Sequence, residues 1–455
     1  MAKKSIQVFL SLTRSFSRIV YLSMHLVFPS LHAQNPLIPN QGVNDPHIRI
    51  FEDKAYLYAT HDRSKDNTRF AMDNWWIWSS EDLVSWKLES ILKPEDTYIG
   101  KTFDQCWATD AAYRNGTYYW YFSEGNRQAG VVVGESPAGP WTDPLGKPLL
   151  DSALTPTDEY DMTVFQDIDG VFYILFGVWE YYMARLNEDM ISLAEEPRKV
   201  VIHNPVGPYG EGSTDDKPFL HTYQGRYYLS WGAFYAVSET VYGPYEYVGT
   251  LMNEQSFAPG YAAPTWPHGP LQGRHGSFFE WHGQWYVAYC DMSQTGNRRF
   301  RDSFISYVHY RENGEIAPVR VDGIGVGQYD ASSGRIEAED YFKASGTRKK
   351  ESGACGFVIT DLDPGDYLVY PNIRGLGGKT KIVLGMVLNH QATIEIRRAG
   401  PEGDLLGECM AYKSQSGTFV LPACTLDKLG DTESICLVFK GEGQGFGEFD
   451  AFVFK

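Results

Sequence analysis

Four aspartates and one histidine each open a similar stretch of this sequence. Asp45, Asp110, Asp161 and Asp216 begin four stretches and His275 begins the fifth, at spacings of 65, 51, 55 and 59 residues. A single aspartate at the start of a strand is usually a turn or capping residue. Several acids brought together at one place in the fold are not expected to be only capping residues, because crowded like charges cost free energy that a purely structural site would avoid. The pattern therefore predicts a functional site.

Crowded carboxylates suit acid–base chemistry. They raise one another's pKa, so one group can stay protonated while another is ionised near neutral pH. Glycoside hydrolysis uses that division, since one acid protonates the leaving oxygen and one base activates water. The competing use is a metal site, in which carboxylates and His275 would hold a hard cation such as Ca²⁺. The chain lacks the dense Asp/Asn loop that a dedicated calcium site usually shows.

The elements around these residues repeat as well. Each opening residue is followed by a short apolar strand, a polar or Gly-containing turn and an aromatic-rich strand. Asn115-Gly116 and Asp169-Gly170 fit tight type I′ hairpin turns, whose two central residues need φ > 0. Five hairpin units at this spacing predict a five-bladed β-propeller over residues 34–320. The first strand of each blade lines the central axis, so the five opening residues are expected to meet at one mouth.

Size and composition predict an all-β protein of two domains. A chain of 455 residues is too long for one ordinary core, and 30 Tyr, 25 Phe and 45 Gly suit strands and tight turns. Segment 321–334 is rich in Gly and Ser and predicts a linker, and the alternating runs of 335–455 predict a β-sandwich of jelly-roll type. A net charge of −17 excludes nucleic acid and anionic membranes as expected partners and favours a neutral substrate.

The first 33 residues have the features of an export signal, with basic residues and no acid before an apolar run at 19–28. That run is shorter than the roughly 20 apolar residues of a membrane span, and no later stretch could cross a bilayer. We therefore expect an exported protein that is periplasmic, cell-surface or extracellular. The six cysteines are expected to be small buried thiols, with a Cys355–Cys436 or Cys409–Cys424 bridge left open.

Residues from about 35 to 320 resemble glycoside hydrolase family 43 and its five-bladed propeller relatives. The resemblance rests on Asn44-Asp45-Pro46, Trp107-Ala-Thr-Asp110, Asp161 before Val164-Phe165, the fourth repeat centred on Pro218, Ser79 to Trp86, and His275-Gly-Ser277. It implies a secreted inverting glycosidase that acts on plant or algal polysaccharide or oligosaccharide, at arabinofuranosyl, xylosyl or galactosyl linkages.

The same resemblance assigns roles to the acids. Asp45 falls on the general base, Asp161 on the carboxylate that tunes and orients the acid, and Asp216 on the general acid. His275 falls on the histidine near the propeller axis, which helps to hold a water or a cation.

One position departs from the family. The acid is normally Glu, and here the segment reads Asp216-Lys217-Pro218. Asp is shorter by one methylene, about 1.5 Å, and misplacement by about an ångström can lower a rate roughly a hundredfold. Three explanations stay open: Asp216 acts in a resized pocket, Glu211 supplies the acid from the preceding loop, or the propeller binds sugar with little or no catalysis.

Around the mouth, aromatic faces and guanidinium donors are expected to contact sugar rings and hydroxyls. The expected substrate-binding residues are His61, Trp107, Asp110, Trp266, Arg274 and His275.

The last domain resembles carbohydrate-binding module family 6. The resemblance rests on Ile336 to Asp340, Pro364 to Tyr370, Leu437 to Gly441 and Phe449 to Phe452. It implies a structural Ca²⁺ held by Glu337, Glu339 and Asp450, with a second possible Ca²⁺ at the propeller axis. Glu448 stands where that family has a sugar-binding asparagine, so binding of carbohydrate by this domain stays open.

Overall fold

Strands make up almost all of the regular structure of the chain. The computed structural model describes residues 35–262, 274–353, 356–415, 417–441 and 443–455. Within these ranges the helices are single 3₁₀ turns at Pro94–Asp96, Glu254–Ser256 and Ala338–Asp340. No helix in the described ranges is long and apolar enough to cross a membrane.

Five sheets follow one another along the first two thirds of the chain, and their strands pair antiparallel except for the edge strand Ile202–His203, which pairs in parallel with Tyr245–Thr250. Blade one contains Val43–Phe51, Lys54–Asp62, Met72–Ser80 and Lys87–Leu92. Blade two contains Cys106–Arg114, Thr117–Glu124, Gln128–Gly134 and Trp141–Thr142. Blade three contains Thr163–Gln166, Phe172–Phe176, Tyr182–Arg185 and Arg198–Lys199. Blade four contains Pro218–Tyr223, Arg226–Trp231, Phe234–Ser238 and Tyr245–Thr250, with Ile202–His203 on its outer edge. Blade five contains Ser277–Trp281, Gln284–Asp291 and Asp302–Val308. A small hairpin, Val206–Gly207 with Gly210–Glu211, precedes blade four.

The five sheets close into a ring. The first strand of each blade contacts the first strands of the blades before and after it, and that of blade five contacts that of blade one. The start of the described chain joins this closure, because Leu37 N–H donates to Ser303 O at 2.8 Å. The side chain of Asn35 bonds both the N–H and the carbonyl of Ile305, each at 2.9 Å, as a neighbouring strand would. These contacts confirm the predicted five-bladed propeller.

Turn chemistry explains part of the hairpin pattern. Asn115 and Gly116 both have positive φ, 51° and 87°, as a type I′ turn requires. The turn at Asp169-Gly170 differs from the prediction, since only Gly170 has positive φ, at 82°. There Gly170 N–H donates to Asp167 O at 2.9 Å, so the loop is longer than two residues.

The C-terminal part is a β-sandwich of two sheets, as predicted. One sheet contains Tyr329–Asp330, Lys343–Ser345, Tyr367–Arg374, Ala392–Arg398, Leu405–Ala411 and Thr432–Gly441. The other contains Arg335–Glu337, Arg348–Ser352, Gly356–Thr360, Lys381–Leu388, Ala423–Thr425 and Gly447–Phe454. Cys409 and Cys424 form a disulfide with an S–S length of 2.03 Å, which is one of the two bridges left open, so the expectation of free thiols is wrong for these two cysteines. Cys106, Cys290 and Cys436 are free and buried. Cys355 lies outside the described residues.

The sandwich packs directly on blade five. Gln284 Nε2 donates to the carbonyls of Glu339 and Tyr341 at 2.9 and 2.8 Å. In segment 321–334, Gly327 N–H donates to Tyr307 OH of blade five at 3.1 Å, and Tyr329–Asp330 pairs with the strand Tyr367–Arg374 of the sandwich. The segment between the two domains is therefore held to both of them by hydrogen bonds.

Candidate active site

A cavity of about 270 Å³ lies at one mouth of the propeller axis. Asp45, Asp161, Asp216 and His275 all line it, and they come from four different blades. Trp107, Tyr160, Arg274, Arg301, Phe70, Tyr209, Met72, Met292 and Arg298 complete its lining. The expectation that the opening residues meet at one mouth is therefore met by four of the five.

Local backbone conformation aims these side chains. Asp45, Asp161 and His275 have positive φ values of 47°, 54° and 51°. Such values are uncommon for residues other than glycine and cluster where surrounding structure holds a functional side chain in place. In blade one the register of the strands also shifts between Asn44 and His47, next to Asp45.

Asp45 is the most firmly held of the three acids. It is 2% exposed. Its Oδ1 accepts a bond from Arg301 Nη1 at 2.7 Å, and its Oδ2 accepts one from Thr60 Oγ1 at 3.1 Å. The thiol of Cys290 lies 3.2 Å from the same Oδ1. Burial acts to raise the pKa of Asp45, but the charges of Arg301 and His275 outweigh it and lower the pKa. Asp45 is therefore ionised at neutral pH.

Asp161 has the opposite character. Its side chain is buried, and its Oδ2 has no hydrogen-bond partner among the described residues. Burial raises its pKa to about 7, with nearby Asp216 adding to the effect and His275 opposing it. A proton is therefore held on Asp161 up to neutral pH, while Asp45 is charged. This is the pairing of one protonated and one ionised carboxyl that acid–base catalysis requires.

Asp216 is more exposed than the other two acids, with 23% of its side chain accessible. Its Oδ1 accepts a bond from Arg274 Nη2 at 2.6 Å. Arg274 is itself oriented by Asp215, whose two oxygens accept from Nε and Nη2 at 2.9 Å each. Burial acts to raise the pKa of Asp216, but Arg274 and then His275 lower it well below its usual range.

His275 lies between two of the acids. Its Nδ1 is 3.3 Å from Asp45 Oδ1 and its Nε2 is 3.5 Å from Asp216 Oδ1. Burial acts to lower its pKa, yet the charges of Asp45, Asp216 and Asp161 raise it. Across the imidazole ring, these two carboxylate oxygens are at most about 9 Å apart, which is compatible with the roughly 6.5–9.5 Å of inverting glycosidases.

Asp110 does not lie at the mouth. It is fully buried further along its strand, where Arg49 Nε and Nη2 donate to its two oxygens at 3.0 and 2.8 Å. Val164 N–H donates to Asp110 Oδ2 at 2.6 Å, so this carboxylate ties together blades one, two and three. The residue that blade two presents to the cavity is Trp107. The structure thus places Asp110 in the axial framework instead of among the predicted sugar contacts.

Two other expected residues, His61 and Glu211, do not line the cavity. His61 stacks on Trp76 with ring centroids 3.9 Å apart, and it does not line the cavity. Glu211 is exposed on the small hairpin before blade four and does not line the cavity either. Trp266 lies outside the described residues. Of the predicted substrate contacts, Trp107, Arg274 and His275 are the ones that line the cavity.

Arg301, Asp215 and Tyr160 were missed by sequence reasoning. Arg301 joins Asp45 to Asp62 through bonds of 2.7 and 3.1 Å, and its side chain is 6% exposed. Arg301 lies just before a strand, in a segment that also contains Arg298 and Arg299. The sequence could therefore predict a cation near blade five, but not which arginine pairs with Asp45. The strand of blade four begins at Pro218, so Asp215 and Asp216 both lie in the loop before it. The alternation of side chains along a strand therefore does not apply to them, and Asp215 could have been included with Asp216.

The residues expected to hold calcium show a mixed picture. In the sandwich, Arg335 donates to Glu337 at 2.7 Å and to Asp450 at 2.7 Å, so a guanidinium already balances two of the three acids. Glu339 has a buried Oε2 that no other residue in the described part of the chain contacts by a hydrogen bond, and burial with Asp340 nearby raises its pKa to about 9. The unpartnered oxygen of Glu339 is the feature that fits a cation there.

At the propeller mouth, Asp161, Asp216 and His275 each offer one ligand atom, all within 4.8 Å of one another. They form the only such group among the residues that the structure describes.

Comparison with known proteins gives a consistent result. Residues 33–316 match the family model of glycosyl hydrolases family 43. An arabinoxylan arabinofuranohydrolase of Paenibacillus polymyxa is 26% identical over 476 aligned positions, which cover 90% of this chain and 72% of that protein. A xylosidase/arabinosidase of Bacteroides ovatus is 27% identical, over 62% of this chain and 96% of that protein.

Solved structures of family 43 enzymes also match this chain. The crystal structure of an arabinoxylan arabinofuranohydrolase of Bacillus subtilis in complex with cellotetraose matches 92% of this chain and 97% of that chain, with a TM-score of 0.54 and 22% identity. At that identity the match shows a shared fold. The GH43_1 enzyme of Xanthomonas citri, complexed with xylotriose, matches 65% of this chain and 96% of its own, with a TM-score of 0.53 and 27% identity.

Proposed function

The chain belongs to glycosyl hydrolase family 43, and from this we propose that it is an exported, inverting glycosidase that releases arabinofuranosyl or xylosyl units from plant polysaccharide or oligosaccharide. Hydrolysis of O-glycosidic bonds is the chemistry of the relatives as their names give it. The observation that carries the proposal is the pairing of an ionised Asp45 with a protonated carboxyl in one cavity.

Asp45 is the proposed general base. Arg301, Thr60 and Cys290 hold its carboxylate in one orientation, and the positive charges around it keep it ionised. An ionised carboxylate can take a proton from a water molecule as that water attacks the anomeric carbon. Thr60 and Cys290 occupy lone pairs on both oxygens, so rotation of the carboxylate is restricted and the base is preorganised.

Asp216 is the proposed general acid, because it lines the cavity and is the most exposed of the three acids. Without substrate its pKa is too low for this role, since Arg274 and His275 stabilise its charge. Asp161 holds the proton in that state. We propose that sugar binding displaces Arg274 from Asp216 and that the proton is then shared between Asp161 and Asp216 before it reaches the leaving oxygen.

The substrate class follows from the relatives and from the cavity. The relatives are named for arabinofuranosyl and xylosyl substrates. A cavity of about 270 Å³ is smaller than the roughly 300–1,000 Å³ of sites for drug-sized ligands. It suits one terminal or branching pentose, with Trp107 and Tyr160 offering aromatic faces. Galactosyl linkages are the less favoured member of the expected set.

A second candidate is a sugar-binding propeller with little or no turnover. The observation that favours it is the 2.6 Å bond between Arg274 and Asp216, which keeps the shortened acid charged. Under this alternative Asp216 and Arg274 would bind sugar hydroxyls as a fixed ion pair.

Two further proposals concern the whole chain. The Cys409–Cys424 disulfide supports export, because disulfides persist in oxidising compartments. The predicted export signal at 1–33 lies outside the described residues.

We also propose that Glu339, with Glu337 and Asp450, holds a structural Ca²⁺ once Arg335 turns away. Ca²⁺ should then raise the Tm of the wild type and not that of Glu339→Gln.

The test is sugar release from arabinan, arabinoxylan, xylan, galactan and agar-type oligosaccharides by the full chain and by Asp216→Asn, with NMR detection of the anomer first formed. The proposal predicts release of a pentose with inverted configuration, and a loss of at least about a hundredfold in Asp216→Asn. Exposed Asp158→Asn, from another loop, is the matched control and should keep wild-type activity. Binding without release by the wild type would establish the second candidate, and release with retained configuration would refute inversion.

A further inference from the structure

A lysine lies in the interior of the propeller axis. Lys217 follows Asp216 directly, is fully buried and has a φ of 53°. Its Nζ donates to Met162 O at 2.7 Å and to Thr109 O at 3.2 Å. These carbonyls belong to blades two and three, so one ammonium group links three blades.

Buried carboxylates surround this ammonium. Burial, with a smaller contribution from Arg49, lowers the pKa of Lys217 below its usual range, while the charges of Asp110, Asp161 and Asp45 act in the opposite direction. All three acids are at most 2% exposed. Lysine is almost never fully buried unless it is paired, and backbone carbonyls with carboxylates are the oxygen ligands that a hard cation such as Ca²⁺ prefers. The environment of Lys217 Nζ is therefore that of a cation site.

We propose that the ammonium of Lys217 is the built-in cation of the propeller axis, and that it takes the place of a divalent metal ion among these oxygens. A calcium ion among these oxygens does not fit this chain, because the carbonyls of Thr109 and Met162 already accept from Lys217.

The group at the mouth leads to the same conclusion. Asp216 Oδ1 already accepts from Arg274 at 2.6 Å, and the charge of Lys217 acts on Asp161. Asp216 is thus balanced by a cationic side chain, and Asp161 holds a proton up to neutral pH, so the group carries little net negative charge for a divalent ion. The site then works without a bound metal ion, a consequence that rests on the hydrolase function proposed above.

Two substitutions separate charge from packing. Lys217→Gly suits the backbone, because glycine adopts positive φ without strain, and it empties the space among the oxygens. Lys217→Met keeps the volume and removes the charge. Both are made in the full chain, and both retain the acids of the C-terminal domain, so any calcium bound there is common to all three proteins.

The measurements are the number of Ca²⁺ ions bound per chain, by calorimetric titration and metal analysis, and the Tm with Ca²⁺ or with EDTA. We expect Lys217→Gly to bind one ion more than the wild type and Lys217→Met, and to gain several degrees in Tm with Ca²⁺ beyond any gain of those two. These readouts do not require activity, so they stand even if the proposed hydrolysis fails.

A second arm uses the wild-type lysine in a Glu339→Gln background, which removes the unpartnered acid of the C-terminal domain. Its kcat should stay within about twofold after chelation, and no ion should copurify with it. The proposal is overturned if chelation removes an ion from this protein together with its kcat, or if Lys217→Gly folds and binds no additional ion. If Lys217→Gly does not fold, the chelation arm decides alone.

Discussion

Replacing Asp161 by Asn should make the protein more stable and less active, with both effects dependent on pH. Asp161 is buried and its pKa is raised to about 7, mainly by burial. The unfolded value is close to 3.9. Between these values the folded state binds more protons than the unfolded state, so stability falls as pH rises from 4 to 7 and then levels off.

The size of the effect follows from the shift. A rise of about 3 pKa units corresponds to roughly 4 kcal/mol of lost stability once Asp161 is ionised. Asn has the same shape and carries no charge, so it removes this cost at pH 8. At pH 5, where wild-type Asp161 is still protonated, the gain should shrink to about 1.5 kcal/mol. In Tm the gain at pH 8 should be about 5 °C or more.

The assay is thermal unfolding of the wild type, Asp161→Asn and the exposed control Asp158→Asn at pH 5 and pH 8, with kcat/KM measured at each half unit between. Wild-type kcat/KM should decline above about pH 7 as Asp161 loses its proton, and Asp161→Asn should lose that limb together with roughly a hundredfold of its rate. An equal Tm change at both pH values, or an unchanged limb, would show that Asp161 does not hold the proton.

Three further results are expected. Arg301→Met should raise the pKa of Asp45, so the acid limb of kcat/KM should move up by about one pH unit or more, and urea unfolding should show a loss of about 3–5 kcal/mol. Cys409→Ser should lower the free energy of unfolding by about 3 kcal/mol, because Cys409 and Cys424 close a loop with a sequence separation of 15. Dithiothreitol should lower the Tm of the wild type to that of Cys409→Ser. Trp107→Ala should raise KM about tenfold and change kcat less, if the ring supports the bound sugar.

The sequence predicted the propeller because its units repeat locally. Each hairpin, with its polar opening residue and aromatic return strand, spans only about 15 consecutive residues. The five copies can therefore be recognised in the sequence without knowing how the blades pack. Ring closure by Asn35 and Leu37 could not be seen, since it joins residues about 270 positions apart.

The candidate site was predicted less completely. Asp45, Asp161, Asp216 and His275 were found because each begins a unit, and the structure brings them into one cavity. Asp110 begins a unit too, but a register shift between Trp107 and Thr109 places Trp107 at the mouth and leaves Asp110 deeper in the axis. A shift of a residue or so along a strand is not encoded in repeat spacing.

The cationic side chains that pair with the acids could not be predicted from the sequence, for a different reason. Arg301 reaches Asp45 from a loop 256 residues away, and Lys217 reaches carbonyls of two other blades. Such pairs depend on how the blades meet. Acids crowded at a mouth predict that cations must be near, but the sequence alone does not say which arginine or lysine supplies the charge.

We propose that Asp45 is the base of a pentose-releasing hydrolase. The most direct test is release from arabinoxylan and xylan oligosaccharides by the wild type and by Asp45→Asn, with binding of the same oligosaccharides measured by calorimetry. We predict that Asp45→Asn loses at least about a thousandfold in kcat while its affinity changes little. Release by Asp45→Asn at the wild-type rate would contradict the assignment of the base and, with it, this account of the site.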